Sequence, residues 1–318
     1  MTAYIVRRLL LAVIVLLIVS IVVFLAMRLI PGDPIRLLLS STQISDYTPE
    51  EMEHLRHEFG LDKPMAMQYF DWIGGIAHGD LGKSIQYRYK VTDEIARRLP
   101  ITLHLGILSL IISLIIGIPA GIICAVRRGG WLDTLVTVLA NIGITVPSFW
   151  LGIVLVYLLA LQLNILPVMG YTSPFSDFWM GTKQLILPVF CLAIYPIASM
   201  ARQTRSSMLE VLHQDFIRTA WSKGLRERVI IARHTLKNAL IPVVTLIGLG
   251  VSNIIGGSVL IESVFNIPGM GRLAVQSILN QDYPVTQSVA LIIAAVVVLV
   301  NLVVDISYGW LDPRIRFG

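Results

Sequence analysis

Six stretches of this chain are apolar over lengths that cross a bilayer as helices, which takes about 20 residues. They fall at Leu9–Ile30, Ile101–Val126, Thr134–Leu161, Leu185–Met208, Ala239–Ile261 and Val285–Tyr308. Of the 318 residues, 55% are hydrophobic and only 14% charged, the balance of a polytopic membrane protein. Arg7 and Arg8 precede a long apolar run with no small-x-small cleavage site after it, the pattern of a retained first span.

An even number of spans puts both ends on one side, and the cations choose the side. Arg7, Arg8, Arg127, Arg128, the Arg202–Lys237 loop, Arg314 and Arg316 then share the cytoplasm, while the short outer loops carry only Lys183 and Arg272. The net charge of +5 thus reports topology, not nucleic-acid binding. Residues 31–100 hold eight Lys/Arg and eleven acids yet fall outside, as long loops translocate largely regardless of charge. The expected organisation is a first transmembrane helix over 1–30, an extracytoplasmic cap over 31–100 and a five-helix core over 101–318.

The cap carries its own folding signals. Thr48-Pro49-Glu50-Glu51 is a capping box with Pro at N1, followed by an apolar stripe of Met52, Leu55 and Phe59 and a stop at Gly60. Tyr69, Trp72, Ile73 and Ile76 predict a second helix ending near Gly79, and Val91–Leu99 a third. The fold class is therefore an all-α polytopic membrane protein with six transmembrane helices and an extracytoplasmic helical cap between the first and second.

Between the fourth and fifth spans, residues 202–242 form the most basic part of the chain. Arg202, Arg205, Arg218, Lys223, Arg226, Arg228, Arg233 and Lys237 face only Glu210, Asp215 and Glu227. Burying such cations at the bilayer centre costs about 2.5–3.5 kcal/mol each, so the loop lies in water. A solvated basic loop explains the charge alone, but Leu209, Leu212, Phe216 and Ala220 recur at helical steps. Asp215 is placed to cap a short helix Phe216–Lys223, Gly224 to follow as its C′ residue, and a second helix Leu225–Arg233 to lead back. Apolar residues on a water-exposed helix need a partner groove.

No span carries a charge at its centre; His104, Asp133, Glu262 and Asp305 lie near span ends. That argues against an ion-coupled secondary carrier, which places ionisable groups near the midplane. Asn141 and Asn253 are the deepest polar side chains, each read either as an interhelical hydrogen bond or as lining a solute path. Pro119, Pro147, Pro188 and Pro196 predict kinks. Cys124 and Cys191 have no metal spacing and read as buried thiols. His54 and His57, three apart on one helix face, read as solvated, with metal ligation the minor alternative. No Gly-x-x-x-x-Gly-Lys-Ser/Thr, His-Glu-x-x-His or Gly-x-Ser-x-Gly occurs, so no catalytic set can be assembled.

The run Asp215-Phe216-Ile217-Arg218-Thr219-Ala220, then Lys223-Gly224-Leu225, His234, Leu236, Asn238-Ala239 and Pro242, resembles the cytoplasmic coupling loop of ABC importer permeases, in its dipeptide/oligopeptide/nickel form. It departs from that pattern at Arg218, Thr219, His234 and Lys237. Pro31-Gly32-Asp33-Pro34, Gly60-Leu61-Asp62-Lys63-Pro64, Gly79-Asp80-Leu81-Gly82, the stretch Glu262–Leu273, Asp282-Tyr283-Pro284 and Leu311-Asp312-Pro313-Arg314-Ile315-Arg316 are similar to the same branch, in order along the chain. The resemblance implies a permease without ATPase activity of its own. Implied partners are a homologous second permease, two ABC ATPase subunits that use ATP and Mg, and an extracytoplasmic solute-binding protein, all at a prokaryotic inner membrane. It implies a coupling helix between the fourth and fifth spans, with Leu209, Leu212, Asp215, Phe216, Arg218, Thr219, Ala220, Lys223 and Gly224 as its coupling residues. Asn266, Pro268, Gly269, Gly271, Arg272, Asp282 and Tyr283 become the expected dock for the binding protein. The cargo stays open among dipeptides, longer peptides, glutathione-like peptides and nickel or other metal chelates.

Overall fold

The computed structural model describes residues 2–29, 33–35, 38 and 49–311. Twelve helices are labelled here: α1 Thr2–Leu29, α2 Pro49–Glu58, α3 Met65–Ala77, α4 Val91–Val126, α5 Trp131–Thr145, α6 Ser148–Leu155, α7 Phe178–Leu212, α8 Asp215–Ser222, α9 over 227–239, α10 Ile241–Val264, α11 Met270–Leu279 and α12 Tyr283–Leu311. The α6 helix runs on into a π-helical stretch, Val156–Gln162, and α9 contains another at Ile230–Thr235. Among the described residues the only β pairing is an isolated bridge between Lys83 and Lys90. Thr48, Pro31, Gly32 and the terminal Asp312–Arg316 motif lie outside the described residues.

Among the described residues five helices are long and apolar enough to be single spans: α1, α4, α7, α10 and α12. The third expected span, Thr134–Leu161, is not one helix. It breaks between α5 and α6 with a bend of 102°. Pro147 supplies no N–H, and its ring pushes the preceding Val146 into extended backbone at φ −75°, ψ 124°. Pro188 and Pro196, by contrast, sit inside an unbroken α7, where both are buried. The expected third cap helix is corrected as well. Val91–Leu99 is the first part of α4, so the boundary drawn at residue 100 falls inside a continuous 36-residue helix.

Packing divides the chain into two compact units. One is built from Leu103–Ile267 with parts of both chain ends, the other from Arg8–Thr102 with Pro268–Leu299. In the first unit α7 is the hub, with α5, α6 and α10 packed on it. The α4–α7 seam is made by small residues at four-residue steps. The single O–H of Ser109 and of Ser113 is shared: it bonds the Leu105 and Ser109 carbonyls of its own helix at 2.7 and 2.6 Å and reaches the Val189 and Ala193 carbonyls across the seam at 3.3 Å. One and two turns on, a Cβ built on Gly117 would meet the Ile197 carbonyl oxygen at 2.8 Å, and one on Gly121 the Ala201 carbonyl oxygen at 2.5 Å. Such a stripe lets two backbones touch, which is how helices associate where lipid offers no hydrophobic drive.

In the second unit Val91 and Ile95 pack with Met270, Leu273, Val285 and Val289, and Ile35 and Ile85 with Met27 and Tyr283. The cap segment thus buries its apolar residues against α1, α11 and α12 rather than around a core of its own.

Candidate functional site

The basic loop begins where α7 ends. His213 caps α7, Gln214 turns the chain in extended backbone at ψ 149°, and α8 starts at Asp215. Asp215 is therefore the first helical residue and not the N-cap, and no side chain caps α8. It still puts a carboxylate on the positive end of the helix. Its contact with Arg218, 3.5 Å between two largely exposed side chains, contributes little.

The C-terminus of α8 is more tightly specified. Gly224 adopts φ +74°, its N–H bonds to the Trp221 carbonyl at 2.9 Å, and Leu225 N–H bonds back to Ala220 at 3.4 Å. This pair of bonds is a Schellman motif, and it requires the left-handed backbone that glycine adopts without penalty.

The expected stripe of Leu209, Leu212, Phe216 and Ala220 does not form one face, because the turn at His213–Gln214 separates the first two from the last two. Ile217 and Ala220 are the buried pair, packed with Ile230 of α9 and Val211 of α7. At about 100° per residue, Phe216 and Trp221 then flank that face on either side, exposed by 45% and 49%. Asp215, Arg218, Thr219 and Lys223 occupy the opposite, exposed side. Leu209 packs in a second small core with Ala125, Met208 and Ala239. Ile217 and Trp221 carried no separate sequence signal; which residue turns inward depends on where α9 lies.

The paired Asp133 and Arg205 were also not evident. Arg205 Nε and Nη2 donate to the two Asp133 oxygens at 2.6 and 2.9 Å, and Gly129 N–H donates to Asp133 at 3.0 Å. This ties the start of α5 to the basic end of α7.

The two asparagines are not brought into one cavity. Asn253 lines a space of about 250 Å³ at the α5–α6 break, with Thr145, Ser148, Tyr195 and Pro196. Asn141 is exposed and does not line it.

The residues expected to dock a binding protein are mostly structural. Gly269, Gly271, Asp282 and Tyr283 are buried, which removes them from a contact surface. Asn266 adopts φ +55° and closes α10 as Gly224 closes α8, with Ile267 N–H bonded to the Glu262 carbonyl at 2.8 Å. Asn266 is exposed and Pro268 and Arg272 are half-buried. Asp282, 1% exposed, accepts from the Ser84 hydroxyl and from Ile85 N–H at 3.1 Å. Burial pushes its carboxyl above the usual range, and those donors pull it partly back. His57 Nδ1 lies 2.7 Å from Asp62, whose carboxyl is held low by that contact. No cluster of metal-ligating side chains occurs among the described residues.

A family model described as a binding-protein-dependent transport system inner membrane component matches residues 117–317, and a model of the N-terminal part of such membrane components matches residues 1–106. The chain belongs to this permease family. A chain of Brucella abortus (strain 2308) bearing the name of a peptide transport system permease protein is 44% identical over 318 residues, covering all of both. The dipeptide transport system permease protein DppB of Escherichia coli K12 is 39% identical over 339 aligned positions, covering 99% of each. The inward-facing MetNI methionine ABC transporter superimposes with a TM-score of 0.57 at 18% identity, over 69% of this chain and 96% of that one, which shows a shared fold. The permease is thus a multi-pass inner-membrane subunit of an ABC importer, and its family is one of transport subunits rather than catalysts.

Proposed function

We propose that this permease moves di- or oligopeptides across the inner membrane by alternating access, driven by ATP hydrolysis in two partner ATPase subunits that grip α8. A homologous second permease completes the path, a solute-binding protein delivers the peptide from outside, and both chain termini lie in the cytoplasm. The peptide cargo rests on the likeness to the two peptide permeases above. The coupling role rests on one observation: α8 is locked at its end by the Schellman motif at Gly224 and held from behind by Ile217 and Ala220, yet leaves Phe216 and Trp221 half-exposed. Aromatic side chains on a rigid, water-exposed helix are suited to a groove on a soluble partner. In this reading Arg218 and Lys223 supply charge at the rim, and Asn253 with its cavity at the α5–α6 break forms part of the solute path. Asn266, Pro268 and Arg272 remain from the expected dock for the binding protein.

The test is Gly224→Val in the complete transporter reconstituted in liposomes. No atom lies within 4 Å of a Cβ at 224, so the substitution strains only the backbone. A left-handed, β-branched residue costs about 1–2 kcal/mol, enough to fray the helix end. ATP-dependent peptide uptake should fall several-fold, with loss of ATPase stimulation by the loaded binding protein. Normal uptake together with normal stimulation would refute the coupling role of this loop.

A further inference from the structure

Helix α3 has 13 residues and a single charge, Asp71, which Lys63 meets at 2.7 Å. Its place in the sequence assigns it to the extracytoplasmic cap, where water would cover its free side. Yet none of its residues is buried, and its most exposed side chains are apolar: Met67 is 59% exposed and Phe70 69%.

The other side of α3 is fixed on α1. The hydroxyl oxygens of Tyr69 and Ser20 lie 2.9 Å apart, the Tyr69 and Trp72 rings lie 5.3 and 6.2 Å from the Phe24 ring, and Gln68 accepts from Arg28 at 2.9 Å. Ser20, Phe24 and Arg28 follow one another at four-residue steps, along a single face of α1. At about 100° per residue, turning Gln68, Tyr69 and Trp72 toward α1 leaves Ala66, Met67, Phe70, Gly74 and Ala77 on the opposite face of α3. That face carries no polar side chain.

The contact with α1 also fixes the depth of α3. The apolar run Tyr4–Leu29 has 26 residues, about 39 Å as a helix against about 30 Å of hydrocarbon. Centred in that layer, the run overshoots each edge by about three residues, so Ser20 and Phe24 lie within the layer and Arg28 beyond it. Tyr69 and Trp72 therefore reach the hydrocarbon boundary while Gln68 stays at the level of the headgroups, the placement that amphipathic aromatic residues favour. Leu17, Ile21 and Leu25, beside this contact on α1, are exposed as well. The free face of α3 continues the lipid-facing surface of the span.

We propose that α3 is an interfacial helix whose face of Met67, Phe70, Gly74 and the two alanines lies among the acyl chains at the membrane surface, anchoring the cap to lipid as well as to α1. A helix in that position sinks its apolar face about 5–10 Å into the boundary between headgroups and acyl chains. A soluble protein would be a poorer occupant. Protein interfaces carry about one hydrogen bond per 100–200 Å², and this face has no side chain that could make one.

The experiment is site-directed photo-crosslinking of the full-length chain in intact cells. The photo-crosslinker p-benzoylphenylalanine replaces Ile18, His54, Met67 or Phe70, one at a time, and mass spectrometry of the irradiated chain separates phospholipid adducts from protein adducts. All four side chains are exposed, so none of the replacements removes a buried contact. Ile18, within the apolar run of α1, is the lipid reference, and His54 on α2 is the water reference. Positions 67 and 70 should give phospholipid adducts in yields close to that at 18 and several-fold above that at 54. Phe70, near the centre of the free face, decides the matter. A phospholipid yield there no higher than at His54 would place the face in water, and a predominance of protein adducts there would assign it to a partner chain; either result overturns the proposal.

Discussion

Gly121→Ala adds one methyl group at the tightest point of the α4–α7 seam. The new Cβ would lie 2.5 Å from the Ala201 carbonyl oxygen and 2.6 Å from Thr204 Cβ, against about 3.4 Å for ordinary contact. The obstacle is backbone, so no rotamer change relieves it, and the helices must part by about 3.4 − 2.5 = 0.9 Å there. A gap of that size forfeits about a quarter to a half of the dispersion energy of each contact along the seam. It also lengthens the serine bonds to Val189 and Ala193, which at 3.3 Å are already long. Overpacking costs about 1–3 kcal/mol, and a lost interhelical hydrogen bond about 0.6 kcal/mol more. The sum, about 1.6–3.6 kcal/mol, lowers Tm by roughly 2–5 °C, at an unfolding entropy of about 2.1 cal/mol/K per residue over the 318 residues. Thermal unfolding of the full-length chain in one detergent measures it, with Gly256→Ala as the control. A Cβ at 256 meets nothing within 4 Å, so that change should be neutral or stabilise by about 0.5–1 kcal/mol through helix propensity. Equal Tm values for the two variants would refute the close backbone seam.

Two further outcomes are expected. Asp282 has a carboxyl pKa raised in the folded state, chiefly by burial, so the native state binds its proton more readily than the unfolded chain. Its contribution is therefore fully present below the unfolded value near 3.8 and is lost as pH rises through the higher folded value. The Tm of wild type minus that of Asp282→Asn should grow as pH falls from 8 to 4; a flat or opposite trend would contradict the burial argument. For the Asp133–Arg205 pair, Asp133→Ala should destabilise by about 1–3 kcal/mol, at the lower end for a guanidinium with partial access to solvent, while Asp133→Leu with Arg205→Met should recover most of the loss. A double-mutant cycle in denaturant reads the coupling directly, and additive single effects would show that the pair does not act together.

Several features were legible because their causes are local. The caps at Gly60, Gly79 and Gly224 all take positive φ, as glycines after a helix do. The α2 helix follows from its first-turn acids, apolar stripe and glycine stop, and α3 from its apolar stripe and glycine stop. Within the basic loop, α8 runs one residue earlier at each end than expected, the ordinary uncertainty of helix boundaries. What was not legible depends on partners distant in sequence. Phe216 and Ile217 are neighbours of similar hydrophobicity, and only the position of Ile230 turns Ile217 inward. Asp282 and Tyr283 read as an exposed outer loop, yet Asp282 is held by Ser84, 198 residues away.

The sequence by itself determined the rough placement of five spans, the helical class and the membership of the loop motifs. A bilayer offers the backbone no hydrogen-bond partners, so long apolar runs must satisfy themselves as helices whatever surrounds them. Only the tertiary structure decided what each helix does with its faces. Four prolines in apolar helices look alike in sequence, but Pro147 breaks its span while Pro119 is carried within a continuous α4 and Pro188 and Pro196 within a buried α7. Ser109, Ser113, Gly117 and Gly121 are merely small residues until α7 lies against them. Local chemistry sets the conformation of a segment, whereas burial and pairing are properties of the space between segments, which no single stretch of sequence contains.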